Sequence, residues 1–331
     1  MDLSMSKPSH MILRRFVLAF LLVAAPVAGS SAAGATPPLG AVPSYCLRTD
    51  PGYRCLIGPF DIEAGEMHEI MTGVAAPSEA GYVTSGQAKL VDGDGKAVGH
   101  HEVHLHHAVW LNPYERDMTC DSYDDGRFPG YERFFATGKE ATKFVLPDGY
   151  GYRWDPKVSQ RLTQSTPWWA FTAHLDGMHG ASEVYVQFDM RYVADAEAEG
   201  LTNIEPVWLD VRNCRSDPVY DVDEGSGLDR ERWTYKMPTS GRFVFLGGHL
   251  HDGGLSLTLE NLTQDDDIYT SRASYGIKRE PWYLTKMSTW SSGRGIRVQK
   301  GDTLRLTSIY DNTRPREDVM GIMVGALVPT R

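Results

Sequence analysis

The chain has no basic block. Its 33 Lys and Arg stand against 43 Asp and Glu, for a formal net charge of −10. A surface of that sign repels phosphate backbones and anionic headgroups, which removes nucleic acid and an anionic membrane surface as partners. Long helical periodicities are scarce, so a helical bundle is not written here. Neither HExxH nor GxSxG occurs, which removes the helix-borne zinc proteases and the nucleophile-elbow hydrolases. Only four cysteines are present, and none has the CxxC spacing of a zinc or redox site. Beyond the N-terminal segment no apolar run reaches membrane-spanning length.

What is present reads as β structure. Short runs of Val, Ile, Tyr, Phe and Trp are separated by turn residues, with 33 Gly and 19 Pro supplying the punctuation. Residues 102–111, 168–175, 183–193, 207–211, 241–246, 255–259, 296–298, 302–309 and 319–328 are strand candidates. Residues 88–98 and 142–154 read as strand, turn, strand, the former around Asp92-Gly93 and Asp94-Gly95. Residues 194–201 are the best short helix. The polar, Gly/Asp-rich stretch 217–232 is the expected domain boundary. The fold class is all-β, with two antiparallel, jelly-roll-like β-sandwich domains side by side, residues 46–216 and 217–331.

Residues 1–35 read as a signal peptide. Arg14-Arg15 supplies the basic start, residues 16–27 are apolar but short, and Ala33-Gly34-Ala35 is a small-x-small cleavage site. Arg14-Arg15-Phe16 also fits twin-arginine export. A Pro/Gly/Ala-rich linker, residues 36–45, follows. The mature chain is therefore expected to be secreted or extracytoplasmic, with no membrane contact after cleavage. An oxidising compartment makes Cys46, Cys55, Cys120 and Cys214 candidates for two disulfides in any of three connectivities. Cys46–Cys55 would close a short loop and Cys120–Cys214 a long one.

The histidines carry the chemistry. Gly247-Gly248-His249-Leu250-His251-Asp252-Gly253-Gly254 follows a strand-like run, and strand residues two apart share a face. His249 and His251 thus present two imidazoles side by side, most of a transition-metal site. Strict alternation in 103–111 pairs His104 with His106 and puts His107 on the opposite face with Val103, Leu105 and Val109. A bulge at that point would instead let His106 and His107 serve one metal. Glu102 is the obvious water-activating carboxylate for a zinc hydrolase. Met320 offers a soft thioether that favours copper, or else simply fills a core.

These segments resemble the copper type II, ascorbate-dependent monooxygenases, the peptidylglycine hydroxylating and dopamine β-monooxygenase group. The likeness runs through Val103-His104-Leu105-His106-His107, Trp169-Ala-Phe-Thr-Ala-His174, Gly248-His249-Leu250-His251 and Glu317-Asp318-Val319-Met320. It implies two coppers per chain across a solvent-filled cleft. One would be held by His106, His107 and His174 for electron transfer. The other would be held by His249, His251 and Met320, where O2 is activated, with Asp252 and Asp176 orienting imidazoles. The implied reaction hydroxylates a C–H bond of a small-molecule substrate, with electrons from ascorbate or a similar reductant. The family's carboxylate anchors fall at Gly247, Ile322 and Val324, so peptide amidation is rejected. The open substrate classes are an apolar molecule, a sugar or a phenol, the last two against Trp282, Tyr283 and Trp290.

The sequence resembles the stress-up-regulated nodulin-type family more closely still. That likeness rests on residues 247–254, Ser274-Tyr275-Gly276, Met287-Ser288-Thr289, residues 301–308 and Val319-Met320-Gly321. The alternatives are a non-catalytic copper-handling protein and a glycan-binding β-sandwich module.

Overall fold

The computed structural model describes residues 42–120, 130–158, 167–277 and 280–330. The expected signal peptide and most of the expected linker lie outside these residues. The described residues all fall in one compact unit.

In chain order the strands are β1 (Ser44–Thr49), β2 (Gly52–Ile62), β3 (Met67–Ala75), β4 (Gly81–Val91), β5 (Val103–Arg116), β6 (Tyr131–Gly138), β7 (Phe144–Val145), β8 (Tyr150–Trp154), β9 (Trp168–Gly177), β10 (Ala181–Ala194) and β11 (Thr202–Asn203). They continue as β12 (Glu205–Asp210), β13 (Tyr220–Val222), β14 (Leu228–Lys236), β15 (Gly241–Leu250), β16 (Gly254–Asn261), β17 (Asp266–Ile277), β18 (Glu280–Met287), β19 (Thr289–Val298), β20 (Thr303–Asp311), β21 (Arg316–Val319) and β22 (Gly321–Pro329). The fold is all-β, and among the described residues every strand pairing is antiparallel except the short β8–β11 ladder.

The first half builds two sheets, β1-β2-β10-β4-β8-β11 with β7 on β4, and β3-β9-β5-β6. The second half builds β12-β22-β15-β19, β14-β20-β16-β17-β18 and the small β13-β21 pair. Several antiparallel sheets with apolar residues between them are what β-sandwich packing requires. Two hydrophobic cores result. One holds Trp110, Trp169, Phe171, Phe188 and Val186. The other holds Leu257, Leu259, Leu304, Leu306 and Phe243.

The cores are not sealed from each other. Val109 and Leu111 of β5, and Trp168 and Ala170 of β9, belong to the second core. Val244 and Phe245 of β15, and Ala326 and Val328 of β22, belong to the first. The sheets β3-β9-β5-β6 and β12-β22-β15-β19 therefore each turn one face outward to their own partner sheet and one toward the other half.

Three expectations change. The chain leaves the first set of sheets between Asn203 and Glu205, because β12 already pairs with β22. The stretch 217–232 instead lies inside the second half and contributes β13 and the start of β14. The helix expected over 194–201 is only a 3-10 turn, Asp195–Glu197. Gly200, at φ +81°, then turns the backbone away. Of the hairpin expected over 88–98, the return arm is a single bridge, Val91↔Ala97.

Both disulfides form, Cys46–Cys55 across the β1–β2 ladder and Cys120–Cys214 between the two halves of the chain. Among the described residues no helix is long and apolar enough to cross a membrane.

Candidate metal centre

The site begins with a bulge in β5. Its ladder with β9 runs Val103↔Gly177, His104↔Asp176, Leu105↔Leu175, then His107↔His174, so His106 is the extra residue. An inserted residue reverses the in/out parity of everything after it. Before it, Val103 and Leu105 face the first core; after it, Ala108 and Trp110 do. His107 is thereby carried onto the face of Val109 and Leu111, next to His106. The bulge decides the choice that alternation left open: His107, not His104, is the partner of His106.

The neighbouring strand supplies the next ring. On β9, Phe171, Ala173 and Leu175 point into the first core, so His174 points the other way, directly opposite His107. From the second half, β15 and the residue just past its end deliver His249 and His251 on one face, because Leu246 and Leu250 occupy the alternate positions in the second core. The glycines before them allow close sheet contact. A Cβ at Gly248 would stand 2.7 Å from the Ser271 hydroxyl oxygen and 2.8 Å from its Cβ.

The resemblance implied two histidine sets apart; the structure gathers all five rings into one cluster. Ring centroids lie 4.3 Å apart for His106–His251 and for His107–His174, and 5.3 Å for His106–His107. His249 sits 5.1 Å from His251 and 6.4 Å from His107. His106, His107 and His251 converge most tightly, with one nitrogen from each within 4.8 Å of the other two. That span can close around one transition metal with small rotations of the rings.

The donor chemistry fits a metal. A buried ring nitrogen without a hydrogen-bond partner is present on each of the three: Nδ1 of His106, Nδ1 of His107 and Nε2 of His251. Nε2 of His249 is in the same condition. Buried polar atoms normally find partners, and several unpaired imidazole nitrogens in one place are a lone-pair surplus that a cation satisfies. Burial, helped by the Lys139 charge, holds His106 down at about 3. Burial, with the neighbouring imidazoles adding to it, pushes His107 and His251 well below the usual histidine range. Metal ligation needs that neutral form.

Further residues complete the surroundings, and no sequence pattern announced them. Glu140, just past β6, is fully buried, with Oε1 3.0 Å from His249 Nδ1 and accepting the Thr142 hydroxyl at 3.0 Å. Gly138, opposite His107 in the β5–β6 ladder, leaves the space these groups use. Lys139 reaches Asp252 at 3.5 Å and Asp176 at 3.6 Å. The two aspartates expected to orient imidazoles thus meet a lysine, and the carboxylate on an imidazole is Glu140.

The remaining expected residues lie around this cluster. His104 is buried outside the triad, its ring 5.3 Å from Tyr283 and 6.3 Å from His100, and burial lowers it to about 4. Glu102 caps its own turn, accepting the Gly99 N–H at 3.0 Å. Met320 is buried in the second core. The last β15–β22 pair is Leu250↔Gly321, so His251 and Met320 lie just beyond that ladder. The Tyr310 hydroxyl ties those backbones, accepting from the His251 N–H at 2.8 Å and donating to the Met320 carbonyl at 2.5 Å. Trp282 is exposed, Tyr283 is buried and Trp290 is half-buried on β19. A second grouping, Cys120, Asp210 and Cys214, is no metal site, because its sulfurs form the disulfide.

Among solved structures, that of PNGF-II is similar at 10% identity and a TM-score of 0.35, over 87% of this chain. The chain spans 62% of the PNGF-II chain. The structure of infectious bursal disease virus Gt strain is similar at 10% identity and a TM-score of 0.15, over 88% of this chain and 79% of that one. Neither likeness is close enough to bear on the chemistry. No curated protein matches the sequence. Residues 189–328, which contain His249, His251 and Met320 but not His106, His107 or His174, match the family described as Stress up-regulated Nod 19. The C-terminal part of this chain is therefore similar to the stress up-regulated Nod 19 family.

Proposed function

We propose that this protein is an exported copper-binding protein whose copper sits in one compact histidine centre at the join of its two halves. The observation that carries the reading is the convergence of His106, His107 and His251, each with a buried ring nitrogen that has no partner. An all-imidazole donor set suits copper, which heads the divalent series in affinity for nitrogen ligands. Export is supported by the two disulfides.

Monooxygenase-like redox chemistry, with O2 and a reductant such as ascorbate, is the finer reading. In that reading Met320, whose backbone carbonyl is tied to the His251 N–H through the Tyr310 hydroxyl, would turn its thioether to the centre and stabilise the reduced ion. Copper would supply one-electron and O2 chemistry. The chain's own part is to hold the imidazoles neutral and oriented. His106 and His174 are half-buried where His107, His249 and His251 are buried, so the centre is open to solvent on the side of the first two. The carboxylate anchors for a peptide substrate are absent at Gly247, Ile322 and Val324, which directs the search to small apolar, phenolic or sugar substrates.

The experiment is copper titration of the purified mature protein, followed by ascorbate-driven O2 consumption with candidate substrates. Tight copper binding supports the metal centre, and substrate-dependent O2 uptake supports the enzyme. Copper binding without such uptake leaves a copper-handling protein. No copper binding overturns both.

A further inference from the structure

A carboxylate buried without a cation beside it is costly, so its place needs a reason. Glu140 is such a group. Its side chain is fully buried at the join of the halves. Oε1 receives the Thr142 hydroxyl at 3.0 Å and lies 3.0 Å from Nδ1 of His249, while Oε2 has no hydrogen-bond partner. The contact crosses between the halves, since Glu140 follows β6 and His249 lies on β15.

We propose that Glu140 is a positioning residue for the metal centre: it accepts the Nδ1–H of His249, fixes that tautomer, and so presents the Nε2 lone pair toward the other imidazoles. This rests on the copper reading above. A carboxylate only accepts, so the imidazole nitrogen facing it carries the proton and the opposite nitrogen carries the lone pair. In His249 that opposite nitrogen is buried and partnerless, as a ligand atom awaiting its ion should be. The Thr142 hydroxyl fixes the carboxylate in turn. Gly138 makes the arrangement possible: a Cβ there would fall 2.6 Å from His249 Cε1 and 2.8 Å from Glu140 Oε2. A carboxylate in this place draws His249 toward the His106–His107–His251 triad as a further donor.

Two measurements test it. Long-range 1H–15N NMR on the copper-free wild-type protein reads the tautomer of His249 directly, without any substitution. The Nδ1–H form is expected, and the Nε2–H form overturns the proposal. The second is copper affinity in Glu140→Ala and Glu140→Gln. Loss of an outer carboxylate partner weakens a metal site by about 10–100-fold. Glu140→Ala is expected to weaken copper binding to that extent, and Glu140→Gln, whose amide oxygen still accepts from Nδ1, to recover part of it. Equal affinity in wild type and both variants overturns the role. If wild-type protein takes up no copper, the copper reading fails. The tautomer measurement then decides alone whether Glu140 sets His249.

Discussion

Replacing Gly138 by alanine adds one methyl group at the most crowded point of the centre. The new carbon would stand 2.6 Å from His249 Cε1, 2.7 Å from the His106 carbonyl oxygen and 2.8 Å from Glu140 Oε2. All three are below any normal carbon contact. One is backbone, and the other two belong to groups already held against each other. None can swing away as a surface side chain does, so the bulged segment of β5 or the Glu140–His249 pair must shift. Overpacking of this kind costs about 1–3 kcal/mol. For a unit of this size each kcal/mol moves the melting temperature by about 1.6 °C, so a drop of about 2–5 °C is expected. Copper affinity should fall with it, because the shift displaces His106 or His249. Differential scanning calorimetry and copper titration read the two effects. Gly227→Ala is the matched control: a Cβ there meets nothing within 4 Å, and its melting point should stay at the wild-type value. If Gly138→Ala melts and binds copper as the wild type does, the close approach described around His249 is wrong.

Two other outcomes follow from the same structure. Glu132 is buried and accepts the Tyr152 hydroxyl at 2.6 Å, and burial pushes its carboxyl up to about 8. Between the unfolded carboxyl value near 4.5 and about 8 the folded chain holds a proton that the unfolded chain releases. Stability should therefore fall as pH rises through that window, by a few kcal/mol, and Glu132→Gln should flatten the fall; denaturant unfolding at pH 5 and pH 9 would show an unchanged slope if the burial argument fails. The Cys120–Cys214 bridge closes a 94-residue separation and Cys46–Cys55 one of 9. Loop-closure entropy makes the former worth about 4.7 kcal/mol and the latter about 2.6 kcal/mol. Removing Cys120–Cys214 should thus destabilise more, and equal losses would contradict that account.

The strands were legible because their apolar runs end at turn residues, and β15 showed its shared-face histidines by simple alternation. The β5 bulge was not. Ala108, Val109, Trp110 and Leu111 are all apolar, so the change of parity after His106 leaves no trace in the pattern. The joining of the two histidine groups was also hidden. It depends on which face of β5 meets which face of β15, a tertiary fact that no local period encodes. Residues 217–232 looked like a boundary because they are polar, yet they form strand and turn within the second half, with Tyr220 and Val222 buried in its core. Glu140 carried no signal: Gly138-Lys139-Glu140 reads as an ordinary polar turn until the fold sets it against His249.

The central claim is that His106 and His107 from one half and His251 from the other hold the same ion. Copper titration of wild type, His106→Ala, His107→Ala and His251→Ala, with pulsed EPR counting the coordinated imidazoles, tests it most directly. One tight ion with at least three imidazole ligands, lost in each of the three variants, is the predicted result. Two independent ions, one lost with His106 and a different one with His251, would contradict it.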